Sequence, residues 1–199
     1  SLDDYRRAAD LLSSAPPEVV AVEVNLSCPN LEGRNAMFAH DAELLAGVIA
    51  ATDGCGRPRW AKLSANTDRI VEIAGAARAA GAEAVTLINT MLGMVIDPRT
   101  MRPALGNGGG GVSGRAIHPI AGRAVHDVRQ AHPDLPIVGV GGVASGWDAA
   151  EMMVVGANAV QVGTATFADP RAATRIRAEL VTLATQRGID ALSDLNGVV

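Results

Sequence analysis

Lysine is almost absent from this 199-residue chain: Lys62 stands alone against sixteen arginines, in a net charge of −4. A single lysine in an acidic protein (sequence pI near 5.5) leaves no basic face of the kind nucleic-acid binders carry. Aromatic residues are scarce too, at 3%. Trp60 and Trp147 have no aromatic neighbours in sequence with which to stack bases, so no nucleic-acid partner is expected. The two cysteines, Cys28 and Cys55, are too few for a disulfide scaffold, a four-thiolate zinc site or an iron–sulfur cluster. His40, His118, His126 and His132 follow no ligand spacing, and no metal is expected. Long apolar runs are missing; Leu44 to Ala51 is far short of the roughly 20 residues a membrane span needs, so no membrane partner is expected. The expectation is a cytoplasmic, acidic domain.

Apolar residues and glycine are plentiful. Hydrophobic residues at 48% against 19% charged exclude disorder and supply an aliphatic core, and 22 glycines supply loops. Short β-branched runs at Val19–Asn25, Arg59–Leu63, Ala84–Asn89, Pro136–Val140 and Ala159–Gly163 read as strands. Helical patterns lie at Asp3–Ser13, His40–Thr52, Thr67–Ala80, Ile117–Ala131, Gly146–Val155 and Pro170–Arg187. Ser145 with Asp148 resembles a capping box, Asp169-Pro170 a cap with proline in the first turn, and Gly81 a helix stop. Continuous apolar strands alternating with helices predict a parallel α/β sheet buried on both faces.

Polar residues gather where these strands end: Asn25 to Asn30, Lys62 to Asn66, Asn89-Thr90, Gly141-Gly142 and Gly163-Thr164. Functional groups at successive carboxyl ends are the habit of a TIM (β/α)8 barrel, whose last two strand ends often hold a phosphate on backbone N–H groups. Asn25, Asn30 and Cys28 could hydrogen-bond a flat heterocycle and present one base; a buried cysteine in an Asn-capped turn is the bland alternative. Lys62 needs an anionic or electron-rich partner if it faces the barrel interior. The glycine-rich Gly106–Gly114 segment is expected to fold over a ligand rather than serve as a linker. Cys55, in a glycine-rich turn, is expected to be inert, and Met152-Met153 to be core.

Taken in order, NLSCPN, AKLSAN, INTMLGMVID, GGGGVSG, GVGGVASG and AVQVGTATF resemble class 1 dihydroorotate dehydrogenase over almost the whole chain. The INTMLGM stretch and the glycine run before VSG look most like the catalytic subunit of subclass 1B. The resemblance implies an FMN-containing barrel that oxidises dihydroorotate to orotate in pyrimidine biosynthesis. It implies Cys28 as the base and Asn25, Asn30, Asn89 and Thr90 as substrate contacts. Asn25, Lys62, Ile88, Gly114, Gly141, Gly142, Gly163 and Thr164 are the implied FMN contacts. Since a thiol titrates near ~8.5, turnover should quicken as pH rises unless the site lowers that value. The same likeness implies an electron-transfer subunit with FAD and an iron–sulfur cluster, in a homodimer or heterotetramer. Asn30 follows Cys28-Pro29 where the pyrimidine-reducing relatives tend to have histidine, which favours dihydroorotate.

Only five strand–helix units are visible, whereas a closed barrel needs eight and typically ~250 residues. The expectation is therefore a barrel present in part: residues 1–199 form the C-terminal portion of one FMN-binding domain, inactive in isolation. A pyrimidine-reducing flavoenzyme, a flavin-free phosphate-binding barrel and a non-enzymatic fragment are the alternatives.

Overall fold

The computed structural model describes residues 1–27 and 41–199. Cys28, Asn30 and His40 lie outside the described residues. The chain runs α1 (Leu2–Leu12), β1 (Val22–Asn25), α2 (Ala42–Ala51), β2 (Arg59–Leu63), α3 (Ile70–Ala79) and β3 (Ala84–Leu87). Four short strands follow, β4 (Met91–Gly93), β5 (Ile96–Asp97), β6 (Arg102–Pro103) and β7 (Gly110–Val112). Then come α4 (His118–Ala131), β8 (Ile137–Val140), α5 (Gly146–Val154), β9 (Ala159–Gln161), α6 (Ala165–Ala168) and α7 (Ala172–Gln186). Strands β1, β2, β3, β8 and β9 form one parallel sheet in that order. This is the α/β architecture of a TIM barrel, present in part.

Local chemistry accounts for several helix ends. Asp41 caps α2 by accepting from the N–H groups of Glu43 and Leu44. Helix α3 ends in a Schellman motif, with Gly81 N–H bonding Arg78 O and Ala82 N–H bonding Ala77 O. Gly81 sits at φ +97°, where any other residue would be strained. At α5 the expected capping box is only half formed. Ser145 Oγ accepts from Asp148 N–H, but the Asp148 carboxylate reaches one residue further back, to Ala144 N–H at 2.9 Å. Asp169-Pro170 precedes α7 rather than starting it: the Asp169 carboxylate takes Arg171 N–H, and the helix begins at Ala172.

The helix-facing side of the sheet is aliphatic apart from the buried Arg59 at the start of β2. Val24, Ala61, Leu63, Val85, Leu87 and Ile137 pack against Leu45, Val48, Ile49, Ile73, Val125 and Met152 of the helices. Burying one such leucine contributes roughly 1.5–3 kcal/mol, so this layer supplies most of the driving force for folding. The opposite face differs from the apolar expectation. Register places Asn25 beside Lys62 and Lys62 beside Thr86. Parallel neighbours in register point to the same side, so polar side chains line the inner face. Strand β2 shows the alternation directly, with Arg59, Ala61 and Leu63 buried and Trp60 and Lys62 half-buried.

Two antiparallel ribbons intervene between β3 and α4, and sequence reasoning missed both. Met91 pairs with Val112 and Gly93 with Gly110, while Ile96 pairs with Pro103 and Asp97 with Arg102. Part of the glycine-rich segment is therefore a strand. A side chain at Gly111 would overlap Thr90, which is why β7 can lie so close to the end of β3.

Candidate functional site

A cavity of about 380 Å3 opens at the carboxyl ends of β2, β3, β8 and β9. That is within the usual range for small-molecule sites. Lys62, Ile88, Asn89 and Thr90 form one part of its wall; Gly114, Gly141, Gly142, Gly163 and Thr164 form another. Asn25 joins the first group through Asn89, whose Nδ2 donates to Asn25 Oδ1 at 3.3 Å. The structure thus brings together ten residues singled out in the sequence; Cys28 and Asn30, the remaining two, fall outside the described residues.

The amide end is held by cross-strand bonds. Ile88 N–H donates to Val140 O and Asn89 N–H to Leu63 O, each at 2.8 Å, so the chain beyond β3 stays pinned between its neighbours. Asn89 Oδ1 accepts from Thr90 N–H at 2.7 Å. Asn66 does not reach the cavity wall; its amide ties Ser64 Oγ and Thr90 O together and accepts from Leu92 N–H. Tyr5 of α1 donates to Asn25 O at 2.8 Å, which fixes the end of β1.

Lys62 Nζ lies 3.9 Å from Glu23 Oε1, at the outer limit of an ion pair. The other oxygen of Glu23 accepts from Thr86 Oγ1 and Gln161 Nε2, both at 2.8 Å. Four strands therefore contribute to one polar layer beneath the cavity. Glu23, Thr86 and Gln161 were missed in the sequence. The available signal was an acidic residue inside an apolar strand, two positions before Asn25 and hence on its face.

The glycine end is built differently. Gly142 sits at φ +68°, and a Cβ there would lie 2.7 Å from Gly114 O and 2.9 Å from His118 Cβ. Only glycine lets these segments meet. A Cβ on Gly163 would meet nothing within 4 Å, so space remains beside its backbone within the cavity. The N–H groups of Gly141, Gly142, Gly163 and Thr164 have no acceptor among the described residues. Ser113, also missed, links the two glycine segments by accepting from Thr164 Oγ1 at 2.8 Å. Free N–H groups gathered at one end of the cavity suit an anion such as a phosphate.

Behind this cradle His118, Asp148 and Glu151 bring ligand-type atoms within 4.8 Å of one another, a grouping no sequence spacing announces. Burial pushes Asp148 up, but hydrogen bonds from Ala144 and Ser145, with Arg115 and His118 nearby, outweigh it. The Asp148 carboxyl is held below the usual range. No helix among the described residues is long and apolar enough to cross a membrane.

The family model described as dihydroorotate dehydrogenase matches residues 1–183. Dihydroorotate dehydrogenase A (fumarate) of Lactiplantibacillus plantarum is 46% identical over 98% of this chain and 64% of its own length. The catalytic subunit of dihydroorotate dehydrogenase B (NAD(+)) of Geobacter sulfurreducens is 43% identical over 100% of this chain and 65% of its own. The chain therefore spans just under two thirds of the length of these curated relatives. Among solved structures, the dihydroorotate dehydrogenase of Eimeria tenella in complex with ferulenol superposes with a TM-score of 0.78 at 23% identity. It covers 99% of this chain and 57% of the solved one, a likeness of fold.

Proposed function

The chain belongs to the dihydroorotate dehydrogenase family, and from that membership we propose that it is the C-terminal portion of a single barrel domain that oxidises (S)-dihydroorotate to orotate with FMN. The observation that carries this reading is the cavity. It joins amides, one lysine and a cradle of free N–H groups, which suits a planar heterocycle at one end and a phosphate at the other. FMN, when bound, supplies the hydride acceptor. Gly114, Gly141, Gly142, Gly163 and Thr164 hold its phosphate and ribityl chain. Ile88 packs against the ring, and Lys62 stabilises negative charge beside it through electrostatics that need no reorganisation. Asn25, Asn30, Asn89 and Thr90 bind and orient the pyrimidine and its carboxylate, and Cys28 takes the C5 proton. On this reading the other contacts of the site come from barrel strands outside these residues.

Electron delivery follows the same logic. The relatives include fumarate-linked and NAD-linked enzymes at nearly equal identity. The INTMLGM stretch and the glycine run favour the NAD-linked form with its flavin–iron–sulfur partner, in the cytoplasm. NADH-driven reduction of the flavin only in the presence of such a subunit tests this.

The decisive experiment uses the protein expressed from its natural start, made anaerobic, with dihydroorotate added and the visible flavin band followed. Bleaching is expected, and Cys28→Ala should slow it about 10²–10⁴-fold, the usual worth of a positioned base. A flavin that binds but is not bleached moves the substrate elsewhere. A protein without flavin returns the cavity to an ordinary phosphate site.

A further inference from the structure

His118 opens α4 directly behind the glycine cradle, and its side chain is only 13% exposed. Its Nδ1 lies 2.8 Å from Gly141 O, and its Nε2 lies 3.2 Å from Glu151 Oε2. A carbonyl oxygen can only accept, so Nδ1 must carry a proton. In a neutral imidazole Nε2 then presents a lone pair to a carboxylate oxygen, and acceptor faces acceptor. The arrangement is satisfied when both nitrogens are protonated and donate.

The peptide that His118 grips is the one that matters for the cavity. In a trans peptide the C=O and the following N–H point in opposite directions. Holding Gly141 O toward His118 therefore turns Gly142 N–H away from it. That N–H has no acceptor among the described residues, and Gly142 lines the cavity. The close packing of Gly142 against His118 Cβ and Gly114 O leaves the peptide little room to rotate.

With the cavity taken as a flavin mononucleotide site, as above, we propose that His118 is a positioning residue for the phosphate. Bridging Gly141 O and Glu151, it aims Gly142 N–H at the anion. The charged groups facing it are Arg115, from the turn before α4, and Asp148 and Glu151 from α5; the loop after β8 offers it backbone only. Asp148 is already committed, to Ala144 N–H at 2.9 Å and to Arg115 at 3.7 Å. That favours a proton over a bridging cation between Nε2 and Glu151.

Two variants separate the hydrogen bond from the bulk of the side chain. His118→Asn retains a donor for Gly141 O, whereas His118→Ala removes it.

The test is flavin fluorescence quenching by the apoprotein, expressed from its natural start, at constant pH. FMN and riboflavin, which lacks the phosphate, serve as ligands. His118→Ala should lose about tenfold in FMN affinity, the worth of one charge-assisted hydrogen bond, and His118→Asn should restore most of it. Riboflavin affinity should be the same in all three proteins. Equal FMN affinity in the wild type and folded His118→Ala would overturn the proposal, as would an equal loss for riboflavin. Affinity that collapses on adding EDTA assigns the cluster to a metal ion instead. Absence of FMN binding by the wild type removes the flavin reading itself, a failure distinct from the others.

Discussion

Arg59 and Lys62 stand three positions apart on the same strand, yet the protein treats them in opposite ways. Arg59 faces the helices, and its side chain is 10% exposed. It donates to Ile49 O and Gly81 O, and its guanidinium lies 3.0 Å from Asp53 and 3.8 Å from Glu83. Both terminal nitrogens of the guanidinium are occupied by the protein. Lys62 faces the barrel interior, where one carboxylate at 3.9 Å is its only ion-pair partner among the described residues, and it borders the cavity. A buried cation whose bonds are completed internally is part of the scaffold. A half-buried cation left with a marginal partner at a cavity wall is available to a ligand.

The sharpest test of this contrast is Lys62→Ala. Flavin reduction by dihydroorotate should fall at least about 100-fold, as when a preorganised charge is removed. Chemical denaturation should show a stability change below about 1 kcal/mol, as for a marginal ion pair. A large loss of stability would break the comparison. Arg59→Ala should do the reverse. Ile49 O and Gly81 O each lose a hydrogen bond from a charged donor, which costs about 2–4 kcal/mol in urea unfolding, while the folded fraction keeps its flavin. Glu23→Gln should act more mildly. Removing the negative charge beneath Lys62 should raise the midpoint potential of the bound flavin, with less than about tenfold change in FMN affinity; an unchanged potential would separate Glu23 from the site.

The smallest effect concerns Asp148. Its folded-state carboxyl is held below the usual range, so its contribution is present above the unfolded value near ~3.9 and is lost as pH falls through the folded value. Asp148→Asn should cost roughly 1–2 kcal/mol at pH 7, chiefly the charged bond to Ala144 N–H. The gap to wild type should close toward pH 2 in acid unfolding. A gap that is the same at both ends of the range would assign the cost to packing alone.

Strand β2 was recognisable residue for residue, because a short segment of alternating Trp, Ala, Lys and Leu lies between a Gly-Arg-Pro turn and the next helical pattern. Lys62 was suspected for its rarity and its place at a strand end, and the cavity contains it. The ribbons β4–β7 and β5–β6 escaped notice: strands of two or three residues carry no measurable alternation, and the pairing of Met91 with Val112 joins residues far apart in sequence. Glu23 and His118 escaped for a related reason. Each looks ordinary in its own element, and its meaning comes from Thr86, Gln161, Gly141 and Glu151, which reach it from other strands and helices.

By itself the sequence determined the α/β alternation, the aliphatic helix-facing layer, the family and the strand ends at which polar groups would collect. Those properties are local or periodic, and the family is read from a series of short local motifs. Only the tertiary structure decided which of those ends share one cavity, that Arg59 is satisfied while Lys62 is not, and that a histidine outside every motif grips the glycine peptide beneath the anion cradle. Hydrogen-bond satisfaction is a property of neighbours in space, and folding chooses those neighbours from anywhere along the chain.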